Sequence, residues 1–219
     1  MAGPEQPAKR VVSVTAERLG GWVTRFGERH GLPTITSAGD PIVLVAPDGA
    51  QATIALPFGA GPWPEGQDLL SSVVEAAIRE RTVGAVLVRR GGFAVGVFRG
   101  RLLVSSKVGR GYVQGQTKAG GWSQQRYARR RENQANRSYA EAADAVLMVL
   151  LPHLSELEAV IGGGDRAGVD AVLADHRLTG LRTLRHESVL PTPDPRMRVL
   201  EAFADQFRAI RIAVQDPPT

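Results

Sequence analysis

Apolar residues along the chain recur with two different periods, and the change from one to the other predicts the elements. Val11 to Val14 predict a short strand, and Thr15 can cap a helix over 16–29. Leu19, Trp22, Val23 and Phe26 fall on one face of that helix, and Gly31 stops it. Two alternating runs, 42–46 and 52–56, flank Pro47-Asp48-Gly49, which predicts a hairpin. The Pro- and Gly-rich stretch 57–66 reads as a linker. A helix is predicted over 68–81, followed by three strands at 84–89, 93–98 and 101–108, the last extending through Tyr112-Val113. The pairs Gly91-Gly92 and Arg99-Gly100 supply the tight turns of an antiparallel meander.

Helical spacing then takes over. Ala128, Ala135, Tyr139, Ala142, Val146 and Val149 mark one face of a long helix over 123–151, which Pro152 ends. A fourth strand is expected at 157–161 and a helix at 166–174 capped by Asp165. A fifth strand is expected at 178–184 and a helix at 195–207, and 208–214 is expected to be short and extended or frayed. Three antiparallel strands followed by alternating helices and strands predict an α/β fold (an α+β mixed sheet). This is a ribonuclease-H-like five-stranded sheet with flanking helices. A small helix-hairpin annex precedes it, so the expected domains are 1–65 and 66–219.

Composition narrows the chemistry. The 219 residues contain no cysteine, which excludes disulfides, thiolate metal sites and cysteine nucleophiles. No apolar run is long enough to span a bilayer, and the N-terminal residues lack an apolar signal region, so a cytoplasmic protein is expected. The net charge is +5, but arginine dominates the basic residues, and its abundance alone says little. Its placement says more. Between Lys107 and Arg137 stand eight basic residues and one acidic residue, a net +7 in a chain whose total is +5. The same stretch carries five glycines with Tyr112, Trp122 and Tyr127. A basic, glycine-rich and aromatic loop (109–122) that opens a helix suits contact with RNA or DNA. The alternative is a solvated helix face beside a mobile loop.

Several enzyme chemistries lack their residues. The first three strands of the expected sheet offer no carboxylates for a two-metal nuclease. His30, His153, His176 and His186 are scattered without zinc-ligand spacing. Gly162-Gly163-Gly164-Asp165 lacks the Gly-Lys-Ser/Thr of a P-loop and reads as a strand-to-helix turn. No metal or cofactor is expected. What remains is Gly120-Gly121-Trp122-Ser123-Gln124-Gln125 ahead of a basic helix start. A glutamine amide does not titrate usefully, but it can orient a water and donate a hydrogen bond to a developing oxyanion.

At these residues the sequence resembles the catalytic middle domain of the eukaryotic and archaeal class I translation release factors. In that family a Gly-Gly-Gln tip is followed by Ser and then by an Arg-aromatic-Ala-Arg pattern on a long helix. Here Gly120-Gly121-Trp122-Ser123 precedes Arg126-Tyr127-Ala128-Arg129 in the same register, and Trp122 stands where the family carries its glutamine. Gly121-Trp122-Ser123-Gln124 forms a G-x-x-Q pattern, which is similar to the Vms-like branch of release-factor homologues, peptidyl-tRNA hydrolases of ribosome rescue. Residues 85–98, Tyr112-Val113 and Lys118 also resemble that branch. The likeness covers about 68–214 and leaves 1–65 unexplained.

The resemblance implies a ribonuclease-H-like fold and a tip that enters the peptidyl-transferase centre of the large ribosomal subunit. Gln124 would position water against the ester of peptidyl-tRNA, with Gln125 as the alternative one residue on. Gly120 and Gly121 would let the tip approach closely. Lys118, Arg126, Arg129, Arg130 and Arg131 would contact rRNA or tRNA phosphates. Trp122 would either stack on a base or staple the helix start. Two other outcomes stay open: a ribosome- or tRNA-binding rescue module without hydrolysis, and a metal-free endonuclease acting on the 3′ end of tRNA.

Overall fold

The computed structural model describes residues 9–36, 41–59, 69–110 and 123–217. They fall into two compact units, one made of residues 1–79 with 207–219 and the other of residues 80–206.

The first unit contains β1 (Lys9–Val14), α1 (Ala16–His30), β2 (Thr34–Thr36), β3 (Ile42–Val45), β4 (Gln51–Ala55), α2 (Leu69–Ile78) and β10 (Ile210–Gln215). The five strands form an antiparallel sheet in the order β1-β10-β4-β3-β2. The expected hairpin is β3–β4. Its turn places Gly49 at φ 91°, a conformation that costs glycine little, and the Asp48 carboxylate accepts from the Ala50 N–H. The alternation of Ile42, Leu44, Ala52, Ile54, Ile212 and Val214 buries one face of the sheet with Leu19, Val23 and Phe26 of α1 and Val73 of α2.

Of the two states expected for segment 208–214, the structure shows the extended one. It is not frayed: β10 pairs on one side with β1 and on the other with β4. Ile210, Ile212 and Val214 supply the two-residue period of a half-buried strand, and only the distant partners reveal its place. The strand β2 lies outside the elements that the pattern predicts.

The second unit contains β5 (Thr82–Arg89), β6 (Gly92–Arg99), β7 (Leu102–Arg110), α3 (Ser123–Leu150), β8 (Ala159–Gly164), α4 (Arg166–Leu173), β9 (Arg185–Leu190) and most of α5 (Met197–Phe207). Its sheet runs β7-β6-β5-β8-β9. The meander pairs are antiparallel, whereas β8 joins β5 and β9 joins β8 in parallel. This is the mixed five-stranded sheet with flanking helices that the element order implies. β5 is buried along six consecutive positions because both of its faces are covered. Val86, Val88, Phe93, Val95 and Val97 meet Ala142, Val146 and Val149 of α3 and Val169 and Val172 of α4. On the opposite face, Leu103 and Leu200 close on Gly96 and Leu87 and Phe203 close on Gly163, which leaves little room for a side chain at either glycine.

The fifth strand begins later than expected. Residues His176–Leu184 form a 3-10 helix, and the strand is β9 at Arg185–Leu190. Leu178 and Leu181 are buried three residues apart, the spacing of a 3-10 turn. The Asp175 carboxylate caps that helix by accepting from the Arg177 N–H at 2.9 Å. Pro152 ends α3 as expected, inside a 3-10 turn at Leu151–His153.

Candidate functional site

The candidate site is built on the end of β7 and the start of α3. Lys118, Gly120, Gly121 and Trp122 lie outside the described residues, as does the expected extension of the third strand through Tyr112-Val113. The structure places Gln124, Gln125, Arg126, Arg129, Arg130 and Arg131 in the first turns of α3.

The C-terminal half of α3 holds the helix. Ala142, Ala145, Val146 and Leu150 are fully buried, and Tyr139 packs beside them. At about 1.5 Å per residue, position 124 lies roughly 22 Å along the helix from Tyr139. The helix is thus anchored at one end and presents its N-terminal turns at the other. That end carries the positive pole of the peptide dipoles and backbone N–H groups without partners inside the helix, a setting that favours negative charge. Helical spacing puts positions 126, 130 and 137 on one line, opposite the line of the buried positions 142, 146 and 149. Arg137 is exposed and has no carboxylate partner among the described residues.

β7 is the last described element before α3. It is an edge strand whose residues are exposed or half-buried in turn. Phe93 of β6 pairs in register with Gly109, and a Cβ at 109 would meet the Phe93 ring at 2.2 Å. Glycine is therefore required one residue before the strand's end. Lys107, half-buried, directs Nζ to the Met148 sulfur at 3.6 Å, which links β7 to α3. Arg110, the last residue of β7, is exposed and has no ion-pair partner among the described residues. Gly109, Lys107 and Arg137 are not among the site residues expected from sequence. The charge run points to Lys107 and Arg137, whereas the demand at Gly109 depends on a strand register that composition does not reveal.

Other polar groups are committed elsewhere. His30 Nδ1 lies 2.8 Å from Asp48 Oδ2, and the Ala50 N–H together with that neighbour lowers the Asp48 pKa. His153 Nδ1 lies 3.8 Å from Glu156, whose pKa is lowered chiefly by the hydrogen bond from Arg99. The Asp165 carboxylate accepts from the Ala167 N–H, so the α4 start behind the three glycines holds a carboxylate of its own chain. A Cβ at Gly162 would approach Val169 at 2.8 Å, which gives that glycine a packing role. Among the described residues, no group of three or more His, Asp or Glu is placed to hold a metal ion, and no helix is long and apolar enough to cross a membrane.

The family match spans nearly the whole of the second unit. Residues 81–213, a span that includes β7 and α3, match the family described as the Actinobacteria/Chloroflexi VLRF1 release factor. No curated protein matches the chain. Among solved structures, the chain is similar to the archaeal translation termination factor aRF1, at 16% identity and a TM-score of 0.44, over 75% of this chain and 51% of that one. It therefore spans about half the length of that factor. It is also similar to a protein described only as archaeal, at 13% identity and a TM-score of 0.39, over 94% of this chain and 69% of that one. Pelota of Archaeoglobus fulgidus is similar at 12% identity and a TM-score of 0.33, over 94% of this chain and 66% of that one.

Proposed function

Because the chain belongs to the Actinobacteria/Chloroflexi VLRF1 release-factor family, we propose that it is a cytoplasmic ribosome-rescue factor that hydrolyses peptidyl-tRNA on the large subunit. The observation that carries this reading is the G-x-x-Q pattern ending at Gln124, on the first turns of a helix whose other end is locked in the core. The loop before it is basic and glycine-rich, and Arg126, Arg129, Arg130 and Arg131 follow on the same helix.

The chemistry needs little from the protein. Water adds to the ester carbonyl carbon, the carbon–oxygen bond to the tRNA ribose breaks, and a proton from the water ends on the ribose hydroxyl. In this reading Gln124 orients the water, and the positive helix start eases the charge that develops on the carbonyl oxygen. Gly120 and Gly121 allow backbone to approach the reacting ester. Lys118 and the arginines hold rRNA and tRNA phosphates, which positions the tip without reading sequence. Ribosomal RNA and peptidyl-tRNA supply the rest of the site.

The test is peptide release from isolated large subunits carrying labelled peptidyl-tRNA, with peptide and tRNA resolved on one gel. Wild type should yield free peptide and full-length tRNA. Gln124→Ala should lose about 10²–10³-fold in rate, the usual effect of removing one oxyanion or water-orienting donor, and should still sediment with the subunit. Equal rates in the two proteins would sink the role of Gln124. One observation favours a second reading: Trp122 occupies the position where the release factors carry glutamine. A rescue module that binds without hydrolysis would co-sediment and release nothing. A shortened tRNA would instead identify an endonuclease.

A further inference from the structure

The first unit carries a basic, aromatic groove that the release reading does not use. It has a volume of about 500 Å³ and is lined by Arg10, Trp22, Arg25, Phe26, Arg29 and His30, with Glu28 and Val214 completing the wall. Trp22 and Phe26 stack with ring centroids 5.5 Å apart and planes 16° from parallel. Phe26 continues to His30 at 4.9 Å. The three arginines are exposed, and none has an ion-pair partner among the described residues. The nearby acid Asp48 is engaged by His30 and by the Ala50 N–H. Among the described residues, Glu28 is the one carboxylate that lines the groove with the three arginines. The unit as a whole is close to neutral, so the groove concentrates positive charge that the unit does not carry on average.

Spacing along α1 extends the pattern. Arg18, Arg25 and Arg29 are seven and four residues apart, which places them on one line of the helix with Trp22 beside it. That line spans roughly 16 Å at about 1.5 Å per residue. A line of that length can meet the phosphates of a few consecutive nucleotides. Guanidinium forks suit phosphate oxygens, and a half-buried indole offers a flat surface to a base.

We propose that this groove binds single-stranded RNA, with Arg10, Arg25 and Arg29 on the phosphates and Trp22 against a base. The groove shares no residue with the tip and does not depend on peptide release. An acidic polypeptide would satisfy the arginines but would leave the aromatic floor without a matching flat partner.

The test uses the full chain and a fluorescein-labelled single-stranded 12-nucleotide RNA followed by anisotropy. The tip is first silenced by replacing Lys118, Arg126, Arg129, Arg130 and Arg131 together by Ala, so that any remaining binding belongs elsewhere. Binding should persist in that background. Adding Arg25→Ala/Arg29→Ala should weaken it by at least ~10-fold and make the slope of log K against log salt shallower by about 1.4, as the removal of two phosphate partners requires. Trp22→Leu keeps an apolar side chain and should weaken binding ~5-fold or more with the slope unchanged. Circular dichroism checks that each variant is folded. Loss of all binding on silencing the tip would overturn the proposal, as would unchanged affinity in Arg25→Ala/Arg29→Ala. Unchanged affinity in Trp22→Leu would overturn the stacking role. Displacement by polyglutamate as effective as by unlabelled RNA would reassign the groove to an acidic protein partner. None of these outcomes bears on Gln124, because no peptidyl-tRNA is present.

Discussion

The ring of Phe93 lies across Gly109, its partner on the neighbouring strand, so closely that an added Cβ would sit 2.2 Å from Cζ and 2.4 Å from Cε1. Phe93 itself is buried in the core beneath α3. The edge strand is therefore clamped to the core at Gly109. Gly109→Ala should force the ring aside and cost about 1–3 kcal/mol, the usual range for overpacking. Thermal denaturation should show a melting temperature lowered by several degrees. Phe93→Leu creates room at the same point, so the double variant should be more stable than the sum of the two losses. Strict additivity would show that something other than the ring opposes the methyl group.

The residue pattern alone makes much of this fold legible, and what it leaves open shares a cause. The meander, the long helix and the fourth strand are visible because each shows its own period together with a local stop, such as Gly91-Gly92 or Pro152. Segment 208–214 has the alternation of a strand, but its partners are β1 and β4, far away in sequence, and no local signal announces them. Residues 178–184 contain leucines three apart, and a short run cannot distinguish a 3-10 turn from a strand by hydrophobicity. For the candidate site, charge segregation finds the basic stretch and motif spacing finds Gln124. The role of Gly109 requires the register between β6 and β7.

If the arginines at the start of α3 act as phosphate partners, replacing them should weaken binding to ribosomes without changing which ribosomes are bound. Each of Arg126→Ala, Arg129→Ala, Arg130→Ala and Arg131→Ala should reduce the salt slope of binding by about 0.7–0.9 for each phosphate no longer neutralised. Gln124→Ala should leave that slope unchanged, since its amide carries no charge. Sedimentation with large subunits at several salt concentrations separates the two classes. A slope that ignores the arginines would mean that the charge run is only a solvated face.

Acid should loosen the 3-10 segment after α4. Arg177 reaches Asp175 through Nε at 3.0 Å and Nη2 at 2.8 Å, adds its backbone N–H at 2.9 Å, and extends Nη1 to Asp144 of α3 at 2.9 Å. The side-chain hydrogen bonds from Arg177 are the largest cause holding the Asp175 carboxyl well below its ordinary range, and the backbone N–H is next. A folded pKa below the unfolded value near 3.9 means that this stabilisation is complete above about pH 4 and fades as the pH falls through the folded value. The pair is exposed enough that the effect is small. Asp175→Asn should lower the melting temperature at pH 7 and flatten its dependence on pH below 4. Parallel curves for wild type and variant would remove Asp175 as the titrating group.

Thr192 offers the opposite case, a position where the native residue costs stability. It is 5% exposed, and its Oγ1 has no hydrogen-bond partner among the described residues. Its backbone carbonyl, by contrast, accepts from Arg89 Nη1 at 2.6 Å. The side chain fills the space beside Gly163 and Gly164, where its Cγ2 and Oγ1 would lie 3.1 and 3.3 Å from added Cβ atoms. Valine has nearly the same shape and replaces the unpaired hydroxyl by a methyl group. Relieving a buried unsatisfied group is worth about 1–3 kcal/mol, so Thr192→Val should raise the melting temperature by a few degrees. Thr192→Ser keeps the hydroxyl and loses the methyl, and should lower it. If valine destabilised the protein, the hydroxyl would have to be bonded to a water or a ligand in solution, and the pocket formed with Pro193, Phe203 and Gln206 would be the place to look for it.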